Sequence, residues 1–351
     1  MQVKKDIIAV MNIESNLDLR LFSTMRLGGR ARHVAKIKNK NDLFEAEKFA
    51  RENNLKIIVI GSGSNIIWKD SGFNGLLLIN EIPGIDIEDL HDHKVLKVGA
   101  GVNWDEFVEK TVQMNLSGVE ALSLIPGKVG ATPIQNVGAY GQEVSQTIVT
   151  IEAYDTKTNQ YVNIKNEDCG FGYRTSRFKT EDKNRYIITE ITFKLQKDFP
   201  NLPLYPAVEN YFLDNNIAVT SPRTIRQAVI SIRQSKLPDP NEVANNGSFF
   251  ANPIISSEHF QSLQNKFQNI SYWETEDGKY KLSAAWLIDR AGFKNHKDHE
   301  TGMATWPTQS LVLVNESAKS TEDLLKFKQK ITSKILEMFE INLEQEPELL
   351  P

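Results

Sequence analysis

Residues 243–253 read VANNGSFFANP and set one hydroxyl, Ser248, between Gly247 and the pair Phe249-Phe250, with Asn245, Asn246 and Asn252 close by. A surface loop seldom carries adjacent phenylalanines, and a core strand seldom carries so many amides. The stretch raises the question of what the Ser248 hydroxyl is held in place to do. Two other segments are equally unusual. GSGSN (61–65) and IPGKVGATPIQNVGAYGQE (125–143) set glycines among Ser, Thr, Asn and Gln. Small residues let a ligand approach the backbone N–H groups, so both segments are candidates for holding a phosphate. GSGSN taken alone reads equally well as an ordinary turn. A dinucleotide fingerprint starting at Gly61 would need glycine at 66, where Ile66 stands, and a helix after it. A P-loop ending at Gly127-Lys128 would need glycine at 122 and Ser or Thr at 129, where Leu122 and Val129 stand. Neither signature is present.

The elements that must carry these segments are legible in outline. Leu43, Ala46, Phe49 and Ala50 recur at helical spacing over 41–54, followed by a short apolar strand, LKIIVIG. GSGSN then sits on the carboxyl side of that strand, where α/β folds commonly place ligands. IIW and GLLLIN (75–80) follow as strands. A strand at 93–102 leads into a helix with Trp104, Phe107, Val108, Thr111 and Val112 on its inner face. Further strands are predicted at 147–155, 161–165 and 185–195. Runs of strands punctuated by single helices point to an α+β fold. Near residue 221 a third region opens. Ser221 is a helix N-cap, Pro222 a first-turn proline, and Ile225, Ala228, Val229 and Ile232 form the apolar stripe. Arg226 and Arg233 fall on another face. A helix at SAAWLIDRAG, a strand at 310–315 and a helix at 321–339 complete the chain before INLEQEPELLP.

Composition narrows the classes. The chain has 351 residues, 40% of them hydrophobic and 25% charged, as in a soluble protein of two or three domains. No apolar run is long enough to span a membrane. The first twenty residues lack the apolar core and cleavage site of a secretory leader, so none is expected. A net charge of −4 without a basic block argues against nucleic-acid binding. The single Cys169 excludes an internal disulfide and fits the cytoplasm.

GSGSNIIW, VGAGVNWDEFV and IPGKVGATPIQNVGAYG resemble, in order and spacing, flavoproteins with the FAD-binding fold of the vanillyl-alcohol oxidase (PCMH) type. With CGFGYRTSRFK (169–179), KLPDP (236–240), GSFFANP (247–253), AAWLID (284–289), QSLVLVN (309–315) and LEQE (343–346), the chain from about Thr24 onward is similar to the UDP-N-acetylenolpyruvoylglucosamine reductases (MurB). The resemblance implies two FAD-binding subdomains, 1–80 and 81–220, and a C-terminal α/β substrate-binding domain, 221–351. It implies an NADPH-dependent reduction of UDP-N-acetylglucosamine enolpyruvate to UDP-N-acetylmuramate, a step of peptidoglycan synthesis, in which the flavin N5 supplies the hydride. The expected cofactor contacts are Gly61, Ser62, Gly63, Ser64, Asn65, Gly127, Gly130, Thr132, Gln135, Asn136, Gly138 and Tyr140.

On the same resemblance Ser248 is the proton donor, Arg174 binds the substrate carboxylate, and Glu346 assists at the enolate. Glu348 fits an E-P-E form of the last motif, though the ungapped L-E-x-E register favours Glu346. Tyr205 and Lys236 would hold the UDP diphosphate, with Asn252 and Gln309 in the substrate cleft. A monomer is expected, with FAD bound noncovalently, because His33, His91, His93, His259, His296 and His299 all lie outside both glycine loops. Two departures stand out. Ala131 follows Gly130 where a second glycine is usual, and 292–308 lacks the expected glycines. That segment reads as a solvated loop, since His296, Asp298, His299 and Glu300 match no zinc spacing. The rival readings are another FAD-dependent oxidase on this fold and a non-catalytic nucleotide-sugar binding protein. The joint presence of Ser248, Arg174 and Glu346 argues against the second.

Overall fold

The structure, a computed structural model, describes residues 11–198, 204–219 and 221–351. Half of the segment read for a secretory leader (1–10) therefore lies outside the described residues.

The first region holds β1 (Ile13–Asp18), β2 (Arg30–Ile37), α1 (Lys40–Glu52), β3 (Ile57–Ile60), β4 (Ile66–Trp68) and β5 (Phe73–Asn80). The sheet order is β1-β2-β5-β3, with β2, β5 and β3 parallel and β1 antiparallel at one edge. Asn39 caps α1 by accepting from the Asp42 N–H. The helix buries Leu43, Ala46 and Ala50 against Leu76 and Leu78 of β5. The central strand is covered on both faces, so its apolar run does not alternate.

The second region adds β6 (Ile85–Asp89), β7 (His93–Gly99), α2 (Trp104–Gln113), the short pair β8 (Gly138–Ala139) and β9 (Gln142–Glu143), then β10 (Ile148–Asp155), β11 (Gln160–Lys165) and β12 (Tyr186–Gln196). These make an antiparallel sheet, β11-β10-β12-β7-β6. α2 packs its predicted stripe on that sheet, with Phe107 and Phe193 ring centroids 5.0 Å apart. Helices α3 (Pro206–Asn215) and α4 (Pro222–Lys236) close this region, sharing a cluster with Ala121.

Ser221 caps α4 as expected, and the predicted stripe is buried. Arg226 and Arg233 lie off that stripe, as read from the sequence, and their face packs against protein. Arg226 is 8% exposed and forks onto Asp105 of α2 at 2.6 and 2.9 Å. Arg233 faces Tyr140, and burial lowers its pKa.

The third region contains β13 (Ala244–Ser248), β14 (Ile254–Ile255), α5 (Ser257–Lys266), β15 (Tyr272–Glu274), β16 (Tyr280–Leu282), α6 (Ala284–Ile288), β17 (Lys297–Asp298), β18 (Met303–Trp306), β19 (Gln309–Asn315), α7 (Thr321–Phe339) and β20 (Glu348–Leu350). Its main sheet runs β13-β19-β18-β17 and rests on α7, which buries Leu324, Phe327, Ile331, Ile335 and Phe339. Segment 292–308 differs from the predicted solvated loop. It pairs β17 with β18, stacks His296 on Phe327, and ties Asp298 to Lys330 at 2.7 Å. β20 leaves this region to pair in parallel with β4 of the first, beside GSGSN.

Candidate active site

Ser248 ends β13, opposite Val312 of β19, with a register break between Asn245 and Ser248. Gly247 makes the break possible at φ +69°, a conformation that glycine adopts without strain, and its N–H donates to Asn245 Oδ1 at 2.8 Å. Phe249 and Phe250 are 0% and 1% exposed, with their rings edge to face. Burial of each contributes roughly 2–3 kcal/mol to holding this backbone. Ser248 itself is exposed. The aromatic pair of the opening stretch is thus an anchor beneath the hydroxyl.

The residues after Phe249 pair with the C-terminal segment. Ala251 N–H donates to Glu344 O at 2.9 Å, and Glu346 N–H donates to Phe249 O at 3.0 Å. Glu346 is thereby fixed beside the Ser248 segment. Its carboxylate accepts from Arg174 Nε at 2.7 Å. Burial pushes the Glu346 carboxyl above the usual carboxylate range, and the Arg174 charge pulls back without cancelling it. Glu348, the competing residue, is half-exposed and paired with Lys183 at 2.6 Å. The geometry joins Glu346, and not Glu348, to Arg174.

Arg174 sits in a tight turn bridged between Gly172 and Thr175, at φ +54°. A non-glycine residue there is uncommon and marks a site where surrounding contacts override local preference. Those contacts are Lys179 Nζ donating to Arg174 O at 3.0 Å, the Tyr173 ring under the guanidinium, and Glu346. Gly138 gives it room: a Cβ at that position would lie 3.3 Å from Arg174 Nη1.

The two glycine loops meet face to face. Ser64 Oγ donates to Pro126 O at 3.0 Å, and Asn65 Nδ2 donates to Gln135 Oε1 at 2.8 Å. Gly63 lies at φ +71°, and a Cβ there would stand 2.2 Å from Phe22 O. Gly127 lies at φ +148°, and a Cβ there would meet only Ser64 Oγ, at 3.7 Å. Gly61 and Ser62 complete the first loop, with Ser62 exposed. Gly130 is used differently, packing against Ala100 so closely that a Cβ would come within 2.5 Å of it. Thr132 and Asn136 spend their side chains on the protein: Thr132 Oγ1 donates to Val129 O, and Asn136 Nδ2 donates to Glu143 Oε2 and Gly172 O. Asn136 therefore braces the turn that carries Arg174.

Tyr140, at φ +49°, sets its ring edge to face with Tyr205 at 5.8 Å, and burial raises its phenol pKa. Lys236 ends α4 and is exposed; its carbonyl accepts from Thr308 beside the half-buried Gln309. Asn252 Oδ1 accepts from the Ala284 N–H at the start of α6. Tyr173, Lys179, Arg233 and Asn246 were not marked from the sequence. Tyr173 offered a signal in its place next to Arg174, and Asn246 in the amide-rich stretch around Ser248.

Comparison with known proteins fits this arrangement. Residues 31–161 match the FAD binding domain family, and residues 239–350 match the C-terminal domain of UDP-N-acetylenolpyruvoylglucosamine reductase. The UDP-N-acetylenolpyruvoylglucosamine reductase of Ralstonia nicotianae is 36% identical, over 95% of this chain and 98% of its own length. That of Cupriavidus pinatubonensis is 37% identical, over 95% and 97%. The chain belongs to the UDP-N-acetylenolpyruvoylglucosamine reductase family. The solved structure of the Thermus caldophilus member agrees in fold, with a TM-score of 0.66 at 21% identity, covering 97% of this chain and all of that one. The α+β class read from the sequence is the family's fold. The open backbone also suits FAD, since a Cβ at Gly127 would meet only Ser64 Oγ, at 3.7 Å, and one at Gly247 nothing within 4 Å. No helix among the described residues is long and apolar enough to cross a membrane.

Proposed function

We propose that this chain is an NADPH-dependent flavoenzyme that reduces the enolpyruvyl ether of UDP-N-acetylglucosamine enolpyruvate to UDP-N-acetylmuramate, in peptidoglycan synthesis. The observation that carries the reading is the Arg174–Glu346 pair fastened to the backbone of the Ser248 segment. The chemistry supplied by bound FAD is the carriage of a hydride from NADPH to the terminal vinyl carbon. One proton completes the balance: NADPH and H⁺ are consumed, NADP⁺ is released, and the carbon–carbon double bond becomes single.

The chain's own residues handle charge and proton. Addition at the vinyl terminus leaves carbanion character on the carbon beside the carboxylate, and Ser248 Oγ–H delivers its proton there. Its exposure lets solvent restore that proton. Arg174 commits Nε to Glu346, which leaves its two Nη groups as a fork for the substrate carboxylate. Glu346, whose carboxyl burial biases toward the protonated form, donates to the developing enolate oxygen when it carries its proton.

Gly61, Ser62, Gly63, Ser64, Asn65, Gly127, Gln135, Gly138 and Tyr140 hold FAD noncovalently, with Gly130, Thr132 and Asn136 shaping the loop from behind. Tyr205 and Lys236 hold the diphosphate; Asn252 and Gln309 line the cleft. Residues 1–80 and 81–220 form the two FAD-binding subdomains and 221–351 the substrate-binding part, with α4 lying on the second subdomain. The enzyme works as a cytoplasmic monomer, in keeping with its lone cysteine.

Stopped-flow absorbance at the flavin band tests the reading by separating the two half-reactions. In Ser248→Ala, bleaching by NADPH stays near the parent rate. Reoxidation by the enolpyruvyl sugar slows by roughly 10²–10⁴-fold, the usual worth of a positioned general acid. Equal slowing of both halves, or of neither, sinks the assignment of Ser248.

A further inference from the structure

The small sheet β14-β16-β15 has two unlike faces. Residues directly opposite one another on paired strands share a face, and neighbours along a strand point to opposite ones. Tyr272, Tyr280 and Leu282 therefore lie on one side. There the Tyr272 and Tyr280 rings pack on Phe260 of α5, at 4.5 and 3.9 Å between centroids, and Leu282 is fully buried. Lys281 lies on the other side, opposite Ile254 of β14 and Trp273 of β15. That outer face turns toward the second region. Lys281 Nζ stands 4.9 Å from the centroid of the Tyr173 ring and 5.6 Å from that of Trp273, both within cation–π reach. Among the described residues the ammonium has no carboxylate partner, so these two rings are what hold it.

Tyr173 immediately precedes Arg174, and the Arg174 guanidinium lies over the same ring, with Cζ 5.4 Å from its centroid. One ring thus carries a cation from each of two regions. The bond from Nε to Glu346 fixes one edge of the guanidinium and leaves its plane free to tilt. The ring beneath can set that plane if it is itself held, and Tyr173, 37% exposed, is not held by burial. We propose that Lys281 is a positioning residue for Arg174. Its ammonium, clasped between Trp273 and Tyr173, fixes the Tyr173 ring, and the ring sets the plane in which the Arg174 Nη groups meet the substrate carboxylate. This rests on the reading of Arg174 as the carboxylate-binding arginine. Two parallel hydrogen bonds demand that the fork and the carboxylate be coplanar, so a tilt of the fork weakens both.

The test follows the two half-reactions by stopped flow in the full-length, FAD-loaded parent, Lys281→Met, Lys281→Arg, Tyr173→Leu and the double variant Lys281→Met/Tyr173→Leu. Methionine keeps much of the lysine stem and removes the charge. Lys281→Met should slow reoxidation by the enolpyruvyl sugar about three- to thirtyfold, the range spanned by cation–π contacts, while bleaching by NADPH stays near the parent rate. Lys281→Arg, which keeps a cation over the rings, should recover most of the loss. Tyr173→Leu should also slow reoxidation, and the double variant should be no slower than Tyr173→Leu alone, because Lys281 acts through that ring. Lys281→Gln serves in place of the methionine variant if that one does not load FAD. An unchanged reoxidation rate, equal slowing of both half-reactions, or losses that multiply in the double variant would each overturn the proposal. If the reduced parent is not reoxidised by the sugar at all, the functional reading fails instead.

Discussion

Ser248 is exposed while the two side chains after it are almost completely buried, so a free hydroxyl rides on a backbone that cannot shift with it. Glu346 presents the opposite case, a carboxyl drawn inward and tied to Arg174. Glu348, two residues on, has a half-exposed lysine partner, an arrangement worth little. Glu346→Gln retains an oxygen for Arg174 but removes the acid, and kcat should fall by about 10²-fold or more with FAD affinity unchanged. Glu348→Gln should alter kcat by less than about twofold. Because the raised pKa keeps Glu346 protonated to higher pH than an ordinary carboxyl, the parent's rate should decline as pH rises through that value. Glu346→Gln should lack this decline. A larger loss in Glu348→Gln than in Glu346→Gln would reverse the assignment.

At the scale of elements, the glycine loops show how differently neighbouring glycines are used. A Cβ at Gly61 would meet Lys128 Cβ and Cγ at 3.0 Å, a tight contact that a shift of a few tenths of an ångström relieves. At Gly63 the obstacle is the Phe22 carbonyl, at 2.2 Å, and φ is +71°. Gly61→Ala should therefore shift apoprotein stability by about 0.5 kcal/mol, whereas Gly63→Ala should cost about 3 kcal/mol or more. Thermal melts of the two apoproteins decide it, and equal losses would refute the distinction. Sequence periodicity could not separate these glycines, since the difference lies in a carbonyl some forty positions away. It did recover α1, α2, α4, α7 and β10 to β12, where long apolar stripes override weak local preferences. It passed over β2, whose RARHVAKI alternates charged residues with small buried ones, and the short pair β15 and β16. What the polar face of α4 meets was illegible for a related reason. A helix shows that Arg226 is off the apolar stripe, but its partner Asp105 lies 121 positions earlier.

Across the whole molecule the site is assembled from all three regions, with Arg174 and Glu346 meeting across 172 positions. No spacing rule reaches that far; the long resemblance is what made those two residues legible. Their union depends on the turn bearing Arg174 being held in place, and a charged network anchors its flanks. Arg185 grips Asp155 of β10 at 2.7 and 3.0 Å and Asp182 at 2.9 Å, while Arg177 holds Asp182 from the other side. Hydrogen bonds from Arg185 hold the Asp155 carboxyl at about 2, below its ordinary 3.8. A depressed carboxyl contributes stability that is present above the unfolded value and is lost as pH falls through the folded one. Between about pH 4 and 2, then, the parent gives up this contribution. Asp155→Asn, which cannot titrate, should melt lower than the parent at pH 7, because Arg185 loses its charged partner. Its melting temperature should also fall less steeply on acidification, so that the two curves converge toward pH 2. Parallel curves across that window would show that the network does not set the acid limit of the fold.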